Sequence, residues 1–191
     1  EQGCGQAPEA GADDDDRQRR LFFCQIEAAE TAIYLTEAAE KLGDTNALNQ
    51  IALNNTHYNG GLPRLAFKMA TGSGKTVVMA MLIAWQAVNA ARRDSKDFSR
   101  AFLIVTPGIT IKDRLRVLMP EAPDSIYERL SIVPRDMVPD LLKARIVITN
   151  YHAFKMRERI ELSKGGRQLL QGRTGDAPET LETEGQMLQR V

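Results

Sequence analysis

Apolar residues recur along this chain with two periods, and the change of period marks its elements. From Arg19 onward, Leu21, Phe22, Cys24, Ile26, Ala29, Ile33, Tyr34 and Leu35 fall at helical spacing, and Gly43 follows Lys41 and Leu42 as a stop. The spacing predicts an amphipathic helix over 19–42, with Cys24 as a small core residue. Residues 44–63 are Asn-rich and closed by Gly60, Gly61 and Pro63, which predicts a connection holding a short helix at 46–53. Residues 64–70 (RLAFKMA) read as a strand, 75–92 as an apolar helix, and 101–106 (AFLIVT) as a second strand ended by Pro107 and Gly108. A helix over 109–119, a third strand at 130–133, a short helix over 137–143 and a strand at 145–150 (RIVITN) follow. Beyond Lys155 the chain turns polar and Gly-rich, with a last helix expected over 178–190. Ile- and Val-rich strands alternating with helices predict an α/β fold whose mostly parallel sheet is covered by helices.

Composition narrows the class without naming a function. With 191 residues, 43% of them hydrophobic and 26% charged, the chain has the make-up of a single folded globular domain. The formal charge of +0 conceals an asymmetry. Residues 1–16 carry Glu1, Glu9, Asp13, Asp14, Asp15 and Asp16 and no base, so the remainder is net basic. Residues 1–18, rich in Gly, Ala and Asp, read as a disordered acidic lead-in, the four adjacent aspartates repelling one another rather than holding a metal. Cys4 and Cys24 have no Cys or His neighbours at zinc-site spacing and form no disulfide framework, which points to a reducing compartment. No basic stretch followed by an apolar one opens the chain, and the uncharged run 77–91 is too short to cross a bilayer. A cytoplasmic protein with no membrane partner is expected.

The chemistry concentrates at Met69-Ala70-Thr71-Gly72-Ser73-Gly74-Lys75-Thr76, between an expected strand and an expected helix. Glycines let the backbone curl so that its N–H groups face phosphate oxygens, and the helix that follows adds its positive end. In such a loop Lys75 reaches the β- and γ-phosphates of ATP and the Thr76 hydroxyl ligates Mg²⁺, with Thr71, Gly72, Ser73 and Gly74 as the cradle. A chance Gly-rich turn would not also supply Lys-Thr and the flanking elements. Met69 stands where the full phosphate-loop pattern has glycine, while the Thr-Gly-x-Gly-Lys-Thr half is intact.

That variant resembles motif I of superfamily 2 helicases and translocases. Three other segments agree with it. Phe22-Phe23-Cys24-Gln25-Ile26-Glu27-Ala28 looks like the glutamine motif of the superfamily, in which the amide of the residue matching Gln25 reads the adenine edge with paired donor and acceptor atoms. Thr106-Pro107-Gly108 resembles motif Ia. Ile148-Thr149-Asn150-Tyr151-His152-Ala153-Phe154 resembles the later strand-end motif that touches the nucleic-acid backbone, so Thr106, Pro107, Gly108, Thr149 and Asn150 are the expected nucleic-acid contacts. His152 has no carboxylate partner in sequence and reads as packing rather than as a base, and His57 is weaker still. Arg92-Arg93 and the Arg114, Arg116 pair read as solvated helix faces.

Together, residues 19 to about 155 look like the ATPase domain of a type III restriction enzyme Res subunit. The resemblance implies a RecA-like phosphate-loop domain, incomplete at its C-terminal end, within a motor that uses ATP and Mg²⁺ on double-stranded DNA and pairs with a modification methyltransferase subunit. It divides the chain into the lead-in 1–18, a partial helicase ATP-binding domain 19–155 and a polar segment 156–191. An acidic motif of the Asp-Glu-x-His kind, needed to hold Mg²⁺ and orient water, is not found in 156–191, and Asp176, Glu179, Glu182 and Glu184 do not fit that role. The chain is therefore expected to be an amino-terminal fragment that binds nucleotide but hydrolyses it poorly. Another superfamily 2 DNA helicase and a non-hydrolysing nucleotide-binding module are the alternatives.

Overall fold

The computed structural model describes residues 20–93 and 95–154, together with 187 and 189. The expected helix at 178–190 and the acids Asp176, Glu179, Glu182 and Glu184 lie outside that range, as do Cys4 and the lead-in. The elements, in order, are α1 (Phe23–Ile33) running into one π-helical turn (Tyr34–Ala38), α2 (Thr45–Asn59), α3 (Lys75–Arg92), β1 (Ala101–Thr106), α4 (Ile109–Arg114) with a 3-10 turn (Leu115–Leu118), α5 (Ile126–Arg129), a 3-10 turn (Arg135–Met137), α6 (Val138–Leu141), β2 (Arg145–Asn150) and a 3-10 turn (Tyr151–Phe154). The chain divides into two compact units, one of Glu1–Phe102 with Val117–Arg145 and the other of Leu103–Arg116 with Ile146–Val191.

In the first unit α3 is the organising element, packing on α1, α5 and α6. Its buried residues are Val78, Ala80, Ile83, Ala84 and Ala87, and the buried residues of α1 are Gln25, Ala29 and Ala32. The alanines at the facing positions let the helices approach closely. Leu118 and Leu141 are the largest side chains wholly enclosed among the described residues, each stabilising the unit by about 1.5–3 kcal/mol through burial. The burial register corrects the expectation for Cys24. Residues 25, 29 and 32 define the inward stripe of α1, and Cys24, one residue off that stripe, is exposed as a free thiol. Gln25 occupies the inward position instead.

The end of α3 is pinned by polar contacts within the same unit. Arg92 pairs with Asp140 at 2.6 Å and Asp136 at 3.2 Å, and Asp140 also takes Lys143 at 2.8 Å. These cations hold the Asp140 carboxyl below its ordinary range, the Arg92 hydrogen bond being the larger cause. Glu37 accepts from the Trp85 indole N–H at 2.6 Å and pairs with Arg93, whose guanidinium lies 5.4 Å over the Phe98 ring. Arg92 and Arg93 are exposed, as the sequence suggests, and each is also paired with a carboxylate of its own unit.

Asn-rich residues 44–63 form more helix than the sequence suggests, because the asparagines supply its termini with bonds. Asp44 accepts from the Ala47 N–H at the start of α2, Gly60 closes it in the left-handed conformation (φ 61), and the buried Asn55 accepts at Oδ1 from Asn59 Nδ2 and from the Arg64 N–H.

β1 and β2 pair in parallel, the Arg145 N–H donating to the Arg100 carbonyl at 2.7 Å at their amino-terminal ends. Two expected strands do not form. Residues 62–70 have no regular secondary structure, and a strand needs ladder partners that β1 and β2, bonded only to each other among the described residues, do not supply. Residues 130–133 instead form a turn in which Ser131 has positive φ (49) and the Ile132 N–H donates to the Tyr127 carbonyl. The expected helices at 109–119 and 137–143 are each split between a short α-helix and a 3-10 turn. β1 alternates in burial, leaving Leu103 and Val105 exposed on one face, as is Val147 of β2.

Candidate nucleotide-binding site

The loop leading into α3 has its shape fixed by two glycines. Gly72 (φ 81) and Gly74 (φ 78) are both left-handed, a conformation that costs side-chain-bearing residues about 1–2 kcal/mol. Gly74 is the N-cap of α3, and its carbonyl accepts from the Val77 N–H at 2.8 Å. It offers no side-chain cap, and no acid occupies the first turn. The first-turn N–H groups of an 18-residue helix, those of Lys75 and Thr76 among them, are left without intrahelical acceptors at its positive end.

Three donors converge on one carbonyl in the loop. Ala70 O accepts from Ser73 Oγ at 2.7 Å, from the Ser73 N–H at 3.4 Å and from Lys75 Nζ at 2.8 Å. The lysine thereby folds back over the loop, its ammonium bonded to a main-chain carbonyl. Thr71, Gly72 and Lys75 are exposed, while Ser73, Gly74 and Thr76 are partly covered.

Gln25 braces the loop from below. It is 4% exposed, its Oε1 accepts from the Phe22 N–H at 2.9 Å, and its Nε2 donates to the Ser73 carbonyl at 3.0 Å. The first bond satisfies an orphan donor at the start of α1, and the second joins that start to the loop. A Cβ at Gly74 would meet the end of the Gln25 side chain at Nε2, and the positive φ there favours glycine in its own right. Each amide atom of Gln25 retains half of its bonding capacity, one hydrogen and one lone pair. A cleft of about 410 Å³ on the Cys24 side of α1 is lined by Phe23, Cys24, Phe67, Met69, Ala70 and Ser73 among others, and Gln25 does not line it. Cys24, misplaced in the core by the sequence pattern, thus borders the loop, and the stripe of α1 traced from Ala29 and Ala32 was the signal for it.

The expected nucleic-acid residues belong to the other unit and have a different character. Thr106 is buried, and its hydroxyl lies 2.9 Å from the Gly108 carbonyl and 3.3 Å from the Thr149 carbonyl. Thr149 is buried as well, Asn150 Oδ1 accepts from the Ala153 N–H at 3.0 Å, and Pro107 is exposed. The structure therefore brings Thr106, Gly108 and Thr149 together, the Thr106 hydroxyl meeting the main-chain carbonyls of the other two. His152 is exposed, stacked edge-on to Tyr151 at 5.9 Å.

The donor set suits a triphosphate: an ammonium, free helix-terminal N–H groups and a hydroxyl one residue beyond the lysine. It supplies one magnesium ligand, Thr76, and no group of three or more His, Cys, Asp or Glu able to hold a metal occurs among the described residues. Glycine-shaped loop, lysine and capless helix define a phosphate-loop α/β domain of the RecA-like class. The chain belongs to the family of the type III restriction enzyme, res subunit, whose model matches residues 23–173. That family is one of helicase-like ATPases, which generally use ATP and Mg²⁺, and its restriction role points to DNA. No curated protein and no solved structure matches the chain. Among the described residues no helix is long and apolar enough to cross a membrane.

Proposed function

We propose that this chain provides the ATP-binding part of a DNA-dependent ATPase or translocase of a restriction-modification system, working with a modification methyltransferase subunit in the cytoplasm. The domain that does so spans 19–155. The observation that carries the reading is the loop itself, with Gly72 and Gly74 left-handed, Lys75 at the mouth and an uncapped 18-residue helix behind it. Thr71, Gly72, Ser73 and Gly74 cradle the phosphates through their N–H groups, Lys75 neutralises the β- and γ-oxygens, and Thr76 holds Mg²⁺. Bound Mg²⁺ would offset phosphate charge. Gln25 has a double task, holding the loop through Ser73 and presenting its remaining donor and acceptor to the adenine edge. Thr106, Pro107, Gly108, Thr149 and Asn150 form a DNA-backbone contact in which main-chain groups face phosphate and the side chains keep the turn in shape.

The test is calorimetric titration of MgATP into the 191-residue chain. Lys75→Ala weakens binding about 10- to 150-fold, the loss of charge-assisted bonds worth about 1.5–3 kcal/mol. An affinity unchanged by that substitution sinks the assignment. In the parent protein, ATP hydrolysis stimulated by duplex DNA separates a DNA motor from a small-substrate kinase, and hydrolysis absent with and without DNA indicates a binding module.

A further inference from the structure

Three cations share one cleft at the amino-terminal ends of β1 and β2, apart from the phosphate loop and from the strand-end motifs. The cleft, about 490 Å³, is lined by Phe98, Ser99, Arg100, Ala101, Lys143 and Arg145, all within the first unit. No carboxylate lines it. Arg100, Lys143 and Arg145 are exposed, and among the described residues neither Arg100 nor Arg145 is in an ion pair. Lys143 has Asp140 at 2.8 Å, but that carboxylate is shared with Arg92 at 2.6 Å, so its single charge is spread over two cations.

The backbones beneath these side chains are fixed, while the arginine heads make no side-chain bond among the described residues. Ser99 Oγ accepts from the Ala101 N–H and donates to the Ala101 carbonyl, both at 3.0 Å, bracketing Arg100, and the Arg145 N–H bonds the Arg100 carbonyl at 2.7 Å. Two arginines are thus set on neighbouring, bonded backbones of a parallel pair and line the same cleft. We propose that this cleft is a nucleic-acid backbone site, in which Arg100 and Arg145 each take a phosphate through paired N–H donors and Lys143 adds a point charge. Its breadth and openness suit successive phosphates of a strand better than one enclosed oxyanion. Contacts of this kind position a duplex without reading its sequence. The inference rests on the DNA-directed reading of the family only for the choice of ligand.

The test is fluorescence anisotropy of a labelled duplex DNA with the 191-residue chain, without nucleotide, from 50 to 200 mM NaCl. Arg100→Gln combined with Arg145→Gln lowers the slope of log affinity against log salt by about 1.8, so that its deficit against the unaltered chain shrinks about 12-fold over that range. Arg100→Lys with Arg145→Lys retains the slope, and Arg129→Gln with Arg135→Gln, which removes equal charge elsewhere in the same unit, leaves it unchanged. Equal slopes for the Gln pair and the unaltered chain overturn the proposal, as does an equal fall in the Arg129, Arg135 control, which would reduce the effect to net charge. Displacement of DNA by 10 mM inorganic phosphate at constant ionic strength, seen with the unaltered chain and lost in the Gln pair, also overturns it in favour of a free-oxyanion site. Because nucleotide is absent, none of these outcomes depends on Lys75, and failure of the phosphate loop is read separately by the MgATP titration.

Discussion

The phosphate loop and the strand-end motifs are both turns that carry Thr and Gly, yet they are braced differently. Around the loop, the bracing is delegated to a residue far away in sequence. Gln25 holds the Ser73 carbonyl, Ser73 and Lys75 bond the Ala70 carbonyl, and the helix-terminal N–H groups are left without intrahelical acceptors. At 106–108 and 149–150 the motif residues brace themselves, Thr106 bonding its own turn and strand partner and Asn150 capping the turn that follows. A brace from a distant helix thus marks the loop, whereas the strand-end residues are held by bonds among themselves.

The sharpest way to break this comparison is the Lys75→Ala titration described above, which removes a group reserved for the ligand and carries the largest expected effect. Gln25→Ala comes next. It deletes two bonds, leaves the Ser73 carbonyl and the Phe22 N–H unpaired, and costs about 2 kcal/mol in loop order, read as weaker binding of both ATP and inorganic tripolyphosphate. If the role of Gln25 were confined to adenine, tripolyphosphate binding would be untouched. Gly74→Ala acts in the same direction, and because its new Cβ meets Gln25 Nε2, the double variant loses less than the two single losses added together.

On the strand-end side, Thr106→Val lowers stability by about 1 kcal/mol in denaturant unfolding, since it removes a buried hydroxyl and its acceptor bonds. Nucleotide affinity stays the same. A nucleotide defect as large as that of Gln25→Ala would erase the distinction between the two regions. The smallest effect concerns acid. Asp140 is held below its ordinary value of 3.8 by Arg92 and Lys143. The stabilisation this gives is present above that value and is lost as pH falls through the lowered one, because the unfolded chain takes up the proton first. Asp140→Asn flattens that limb of an acid-unfolding curve, the exposed pairing keeping the difference slight.

Much of this arrangement was legible in local pattern. The Lys-Thr after two glycines, the 18-residue apolar helix behind them and the strands at 101–106 and 145–150 are all encoded by residues next to one another, and each forms where its pattern places it. The segment 64–70 shows the limit of such reading. Its alternating apolar residues suit a strand, but pairing is a property of neighbours, and β1 and β2 bond each other instead. The Asn-rich stretch 44–63 shows the reverse, a helix hidden by weak propensity and secured by side-chain bonds from Asp44 and Asn55.

By itself, then, the sequence determined that a phosphate-loop α/β domain is present and which residues form its loop, because that chemistry depends on contiguous residues and steric freedom at Gly72 and Gly74. Tertiary structure alone decided what lies beneath and beside that loop. It turned Gln25 inward and Cys24 outward, set Gln25 against Gly74, tied Arg92 to Asp140, and placed Arg100 beside Arg145 in one cleft. Those outcomes depend on packing between residues dozens of positions apart, and the one-dimensional period of a sequence does not contain it.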